Sequence, residues 1–152
     1  MEITVRQAQE KEIDTLLEFE KGIVAAERPY DSTLKPGEIH YYDLLELIKL
    51  SEAEVLVAEI NGEVVGSGYA KILTAKPYLK HTQFAYLGFM YVKPEFRGNG
   101  INKVILNALL NWAKEKGISE IRLEVYEENI AAKKAYAKAG FTPNLLEMRM
   151  EI

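Results

Sequence analysis

Between Lys93 and Lys103 the sequence reads KPEFRGNGINK, an arginine and two glycines set directly before Ile101, Val104, Ile105, Ala108 and Trp112. That spacing is the buried stripe of a helix, so the glycine loop stands at a helix entrance. The first turn of a helix leaves backbone N–H groups unpaired, with the positive end of the macrodipole behind them. Glycine at 98 and 100 removes the Cβ atoms that would hold a bulky anion away, so the amides of residues 98 to 102 can close on phosphate oxygens. Lys93, Arg97 and Lys103 add positive charge against the single Glu95. The same residues admit an architectural reading, in which Gly98 only makes a turn and Gly100 only fits helix packing. Two other phosphate loops are excluded by spacing. There is no Gly-Lys followed by Ser or Thr, and the third glycine of a dinucleotide fingerprint is replaced by Lys103, which cannot let a helix press on its strand.

Composition sets the frame for this loop. A chain of 152 residues with 48% apolar content suits one domain with a single sizeable core. Cysteine is absent, which excludes disulfides and thiolate chemistry, and His40 and His81 are a poor start for a metal site, so no metal is expected. A net charge of −4 argues against a nucleic-acid surface. Apolar runs are broken by charge or glycine, and the chain opens on an alternating segment, not a basic-then-apolar leader. A soluble, cytoplasmic protein without a membrane partner is expected.

The elements that must position the loop follow from periodicity. ITVRQA (3–8) alternates as a strand, and EKEIDTLLEFEKGIVAA (10–26) places Ile13, Leu16, Leu17 and Phe19 or Glu20 at helical spacing. ERPYDSTLKPG is loop, and EIHYYDLLELIKL (38–50) is predicted to resume a helix, with His40 on its surface or packed with Tyr41 and Tyr42. EVLVAEI, Asn61-Gly62 and EVVGSGYAKIL form a hairpin with a type I′ turn. TQFAYLGFMYV (82–92) is a third strand of that meander. A helix from about Gly100 to Lys116, ended by Gly117, leads to the strand EIRLEV, in which Ile121, Leu123 and Val125 share one face. Strand, helix and strand over this length make a right-handed crossover with a parallel pair. A helix capped by Asn129 and stopped by Gly140 follows, and LLEMRMEI is predicted to close the chain as a strand.

These residues carry a family likeness. YVKPEFRGNGIN (91–102) resembles the acyl-CoA signature of the GNAT superfamily of N-acyltransferases: Arg or Gln, two residues, Gly, one residue, Gly or Ala. NIAAKKAYAKAGF (129–141) resembles its second signature, in which Asn is followed by Ala, Tyr and then Gly-Phe. The likeness covers roughly residues 53–142, with the amino-terminal helices alike in arrangement only. It implies a mixed α+β fold of the α/β class: a mostly antiparallel, twisted sheet of about six to seven strands with one splayed parallel pair, flanked by about four helices. It also implies a single acetyltransferase domain, with 1–52 on the acceptor side, 53–142 as the acetyl-CoA-binding core and 143–152 as a final strand. One departure stands out. Asn102 occupies the usual Gly or Ala position, where its side chain either crowds the pyrophosphate or donates to it or to the pantetheine arm.

The resemblance assigns roles residue by residue. The main chain of Phe89, Met90, Tyr91 and Val92 would pair with pantetheine as a pseudo-strand, an amide near Met90 would polarise the thioester carbonyl, and the phosphates of acetyl-CoA would lie on Arg97, Gly98, Asn99, Gly100, Ile101 and Asn102. Asn129, Ala132 and Tyr136, at i, i+3 and i+7, would bracket the arm, with Tyr136 as the acid that protonates the leaving thiolate. Without the resemblance, Tyr136 reads as a core aromatic and Asn129 as a cap.

No base stands out. Glu124, opposite in alternation to Leu123 and Val125, is the first candidate, against the reading of an exposed strand residue, and Glu127 and Glu128 serve the following helix. By resemblance, Glu27, Arg28, Tyr30 and Asp31 overhang the acceptor side, joined by Tyr78 and His81, against the reading of solvated loops. The expected partner is an amine acceptor, with a homodimer also admitted. Three functions remain open: a small-amine or amino-acid-derivative N-acetyltransferase, a protein or peptide N-acetyltransferase, and a non-catalytic acyl-CoA sensor.

Overall fold

A computed structural model describes residues 1–152. Strand β1 (Thr4–Gln7) precedes helices α1 (Ile13–Glu27) and α2 (Leu44–Lys49), which lead into β2 (Ala53–Ile60), β3 (Glu63–Thr74) and β4 (Gln83–Val92). Helix α3 (Ile101–Glu115) crosses to β5 (Ile121–Arg122), and α4 (Ile130–Ala139) follows. The five strands lie in chain order, antiparallel from β1 to β4, while β4 and β5 run parallel.

Both faces of the sheet are covered, which is why β2 reads as a nearly unbroken apolar run. Val55 and Val57 join Leu16, Phe19, Ile23, Leu44 and Phe89 on the α1–α2 face. Leu56 and Ala58 join Val65, Ile101, Ile105 and Leu109 under α3. In α1 the buried positions Leu16, Phe19, Glu20, Ile23 and Val24 make one helical stripe. Gly22 interrupts it for a packing reason, since a Cβ there would stand 2.6 Å from the Tyr91 ring. The Asn61-Gly62 hairpin forms as expected, with φ of 51° and 79°.

Three sequence expectations are corrected. The second helix is confined to Leu44–Lys49, because the buried Glu20 carboxylate captures the Tyr41 and Tyr42 amides at 2.8 and 3.0 Å and holds 38–42 out of helix. His40 therefore lies in a loop, its Nδ1 2.7 Å from Glu20. The strand expected over 120–125 pairs only at Ala85↔Ile121 and Tyr86↔Arg122, because β4 departs from it beyond that point. Residues 143–152 form no strand, so the sheet has five strands and not six or seven.

Candidate active site

The site begins where β4 leaves β5. On its other side β4 pairs Ser67 with Tyr91 but Tyr69 with Gly88, so Phe89 and Met90 together oppose Gly68. This is a β-bulge. Phe89 adopts a φ of 57° there, unusual for a bulky residue, and is fixed by burial and by Ser67 Oγ, which donates to its carbonyl at 2.9 Å. Burial pushes the Tyr42 phenol up, and the Phe89 amide, facing that oxygen, partly offsets the rise. A strained bulge and a diverging parallel pair thus coincide, leaving a crevice between 87–92 and 123–126.

At its mouth lies the glycine loop. Gly98 and Gly100 take φ of 81° and 78°, and nothing lies within 4 Å of where their Cβ atoms would be. Gly100 caps α3 without a side chain, and the first turn of the helix holds no acidic residue. None of the amides from Gly98 to Lys103 makes a backbone hydrogen bond; the first intrahelical bond is Val104 N–H to the Gly100 carbonyl. Asn99 Nδ2 tightens the loop by donating to the Phe96 and Arg97 carbonyls. Arg97 folds back, its Nε donating to the Val92 carbonyl at 2.9 Å. Ile101 buries its side chain in the core, so only its amide is offered, whereas Asn102 is half-buried. The turn is present, close packing at Gly100 is not, and the amides stand open: a set of donors suited to phosphate oxygens.

Tyr136 is half-buried in α4 with its ring edge-on to Phe141, centroids 5.8 Å apart. Burial raises its phenol, and the charge of Glu27 raises it further. Glu27, at the end of α1, is itself raised, first by burial, although the Tyr41 hydroxyl on its flank opposes the rise. That hydroxyl is buried with no partner within hydrogen-bond distance, and burial and then Glu27 push it up to about 12. Two phenols with raised titration, Tyr41 and Tyr136, thus both feel the charge of Glu27. Tyr126 donates to Asp31 at 2.8 Å and packs against Tyr30, ring centroids 6.1 Å apart.

The remaining candidates divide. Asn129 spends its Oδ1 on capping α4 through the Ala132 amide at 3.2 Å, leaving Nδ2 free. Glu124 accepts from Tyr86 at 2.7 Å, and the Tyr86 phenol is raised by burial and then by that carboxylate. Arg28 holds the Lys35 and Gly37 carbonyls, so its guanidinium staples the loop. Tyr78 stands exposed beside Lys76, and His81 accepts from Arg122 at 2.8 Å. Both precede β4, at the end of that strand remote from the glycine loop. Sequence reading missed Glu20, Tyr41, Tyr42 and Tyr126, whose partners lie far away in the chain; the only local signal was the tyrosine-rich composition. A hollow of about 150 Å³ touches Tyr41, Tyr42 and Tyr69. A larger one of about 260 Å³, between Gln7 and Trp112, touches none of these residues. No group of three or more His, Asp or Glu could hold a metal, and no helix is long and apolar enough to cross a membrane.

A bulged strand diverging from a parallel neighbour, beside a glycine-capped helix entrance, defines an acyltransferase architecture, and the comparisons agree. Residues 21–141 match the Acetyltransferase (GNAT) family, and the chain belongs to it. A curated relative, the aminoglycoside N(6′)-acetyltransferase type 1 of Stenotrophomonas maltophilia, is 28% identical over 111 residues, covering 68% of this chain and 71% of that protein. A predicted acetyltransferase of Clostridium acetobutylicum, solved with acetyl-CoA, is 25% identical with a TM-score of 0.73, covering 97% of this chain and 96% of the other. A mutant protein of Bacillus halodurans shares the fold at a TM-score of 0.89 and 17% identity, covering 98% of this chain and 99% of the other. The chain is thus an acetyltransferase of the acyl-CoA-dependent N-acetyltransferase class.

Proposed function

We propose that this enzyme moves the acetyl group of acetyl-CoA to a primary amine of a small molecule or amino acid derivative by direct attack. The observation that carries the donor is the run of unpaired amides from Gly98 to Lys103, open to space above the glycines; the acetyl-CoA complex of the Clostridium relative supports it. Phosphates lie on that run, pantetheine runs along Phe89–Val92, and the thioester carbonyl meets the bulge.

The amine nitrogen attacks that carbonyl, a C–N bond forms, and the C–S bond breaks. Tyr136 delivers its proton to the departing thiolate, since a raised phenol stays protonated through the neutral range. The acceptor arrives as an ammonium ion and loses one proton before attack and another afterwards. Glu27, whose raised carboxyl lies within electrostatic reach of Tyr136, suits the first proton better than Glu124, which is already engaged by Tyr86.

A small acceptor is favoured over a protein because the Asp31–Tyr126 bond ties the 28–42 loop across the crevice end where a polypeptide would lie. The aminoglycoside-acetylating relative supports a polyfunctional amine as the class. The test is thiol release from acetyl-CoA with a panel of amines and peptides. Turnover with small amines alone is expected; turnover with peptides alone overturns the acceptor, and release with neither overturns the enzyme reading.

A further inference from the structure

Helix α1 grips the loop that follows it at two places, with Glu27 between them in the helix. Glu20, 1% exposed, accepts the Tyr41 and Tyr42 amides on one carboxylate oxygen at 2.8 and 3.0 Å. Arg28, just past the helix end, donates to the Lys35 and Gly37 carbonyls. Glu20 and Glu27 are seven residues apart, two turns and about 10 Å along one face of the helix. A loop held at 20 and at 28 is therefore drawn past Glu27.

The side chain this delivers is Tyr41. Its ring meets Tyr42 edge-on with centroids 5.7 Å apart, and Tyr42 meets Phe89 at 5.4 Å, so the Tyr41 ring is referenced to the strand bulge. Its hydroxyl oxygen is buried and has no partner within hydrogen-bond distance. A buried hydroxyl left unpaired is costly, and phenylalanine would fill the same place without that cost. Fold stability therefore does not account for the oxygen. Burial and then the Glu27 carboxylate push the phenol up to about 12, so it remains a donor in the neutral range. Burial lifts Glu27, and the Tyr41 hydroxyl works against that rise.

The other groups that sense Glu27 are occupied or act the opposite way. Asp31 lifts the carboxyl further. Tyr126 donates to Asp31, the Tyr42 oxygen faces the Phe89 amide, and Tyr136 is assigned to the leaving thiolate. Arg28, whose charge opposes that of Glu27 on Tyr41, is spent on loop carbonyls.

Resting on the reading of Glu27 as the first proton acceptor, we propose that Tyr41 is a positioning residue for it. The Tyr41 hydroxyl, aimed by the Glu20 clasp, closes on one oxygen of the ionised Glu27 carboxylate and leaves the other for the acceptor ammonium. An ammonium N–H bond breaks, its proton forms an O–H bond on that second oxygen, and the freed electron pair becomes the nitrogen lone pair that attacks the thioester. Tyr41 keeps its own proton throughout. An unpaired donor beside a half-buried carboxyl favours the charged form that desolvation disfavours.

The experiment follows the Glu27 carboxyl by carbon NMR of protein labelled with ¹³C-glutamate, its resonance assigned by loss in Glu27→Gln. Tyr41→Phe is expected to raise the titration midpoint by roughly one pH unit, the scale of a hydrogen bond to a charged group. Its melting temperature should stay level or rise. Glu20→Leu, which frees the Tyr41 amide, should move the midpoint the same way, and Glu20→Gln, which keeps an oxygen for both amides, should restore it. The acid limb of kcat/KM, measured with the amine of the panel above that turns over fastest, should move with the midpoint in Tyr41→Phe. A midpoint unmoved by Tyr41→Phe overturns the inference and leaves Glu27 as base. A midpoint that moves while the rate limb stays, or a wild-type limb indifferent to Glu27→Gln, overturns the base reading and this inference with it.

Discussion

The two rims of the crevice are built on different principles. On the proposed donor rim, residues 89–103, the groups offered for recognition belong to the main chain: open amides at a helix entrance, a strand bulge, and glycines at positive φ. On the proposed acceptor rim they belong to side chains drawn from four places in the sequence: Glu27 and Asp31, Tyr41, Tyr126, and Tyr136. In the proposed reading the donor rim is preorganised and indifferent to which amine arrives, while the acceptor rim is titratable and held by pairs that a single substitution can undo. The contrast explains how one scaffold keeps its donor and changes its acceptor.

The largest expected effect falls where the rims meet. Tyr136→Phe keeps the ring against Phe141 and removes the proton, so kcat should fall about 100-fold while calorimetric affinity for coenzyme A stays unchanged. If affinity falls and kcat does not, Tyr136 belongs to the donor rim alone. Next is Glu27→Gln, with an expected loss of about tenfold in kcat/KM, below that of a direct proton donor. Burial lifts the Glu27 carboxyl above the usual carboxylate range, and its basic form exists only above that raised value. The wild-type rate should therefore decline as pH falls through it, and this acid limb should vanish in the variant.

A smaller effect tests the donor rim. Gly100→Ala forces a side chain into φ of 78° while meeting no neighbour. The cost is backbone strain of about 1 kcal/mol, read as a melting shift of roughly 3 °C and a raised KM for acetyl-CoA, with the acceptor KM unchanged. Smallest is His40, on the outer side of the acceptor loop. Its ring is raised above its ordinary value by the hydrogen bond to Glu20 and then by that carboxylate's charge. The linkage sign follows: its contribution is fully present below the unfolded value and is lost as pH rises through the folded one. His40→Ala should remove a slight decline in melting temperature across that window and leave acetyl-CoA affinity intact.

The same contrast decides what could be read from the sequence. The local structure of the glycine loop was legible because its determinants are contiguous: RGNGIN carries its own turn, cap and helix start, and Asn61-Gly62 its own hairpin. The residues proposed for the acceptor side could be read only in part. Glu27, Tyr30 and Asp31 could be nominated from one loop, but Tyr126, 95 residues from Asp31, could not. Glu20 defeated periodicity twice, sitting buried in an apolar stripe and drawing 38–42 out of a helix that local propensity favours. Arg28, nominated for the acceptor side, holds the Lys35 and Gly37 carbonyls, partners that carry no sequence signal. The final segment alternates as a strand, but alternation specifies a face and not a partner.

The central claim is that exposed main-chain donors hold the acyl carrier. Backbone amide NMR during titration with coenzyme A measures it directly. The account predicts the largest shifts at the amides of Gly98 to Lys103 and of Phe89 to Val92, with little change at Asp31 and His40. Saturable shifts centred elsewhere, or no shifts at millimolar ligand, would contradict it.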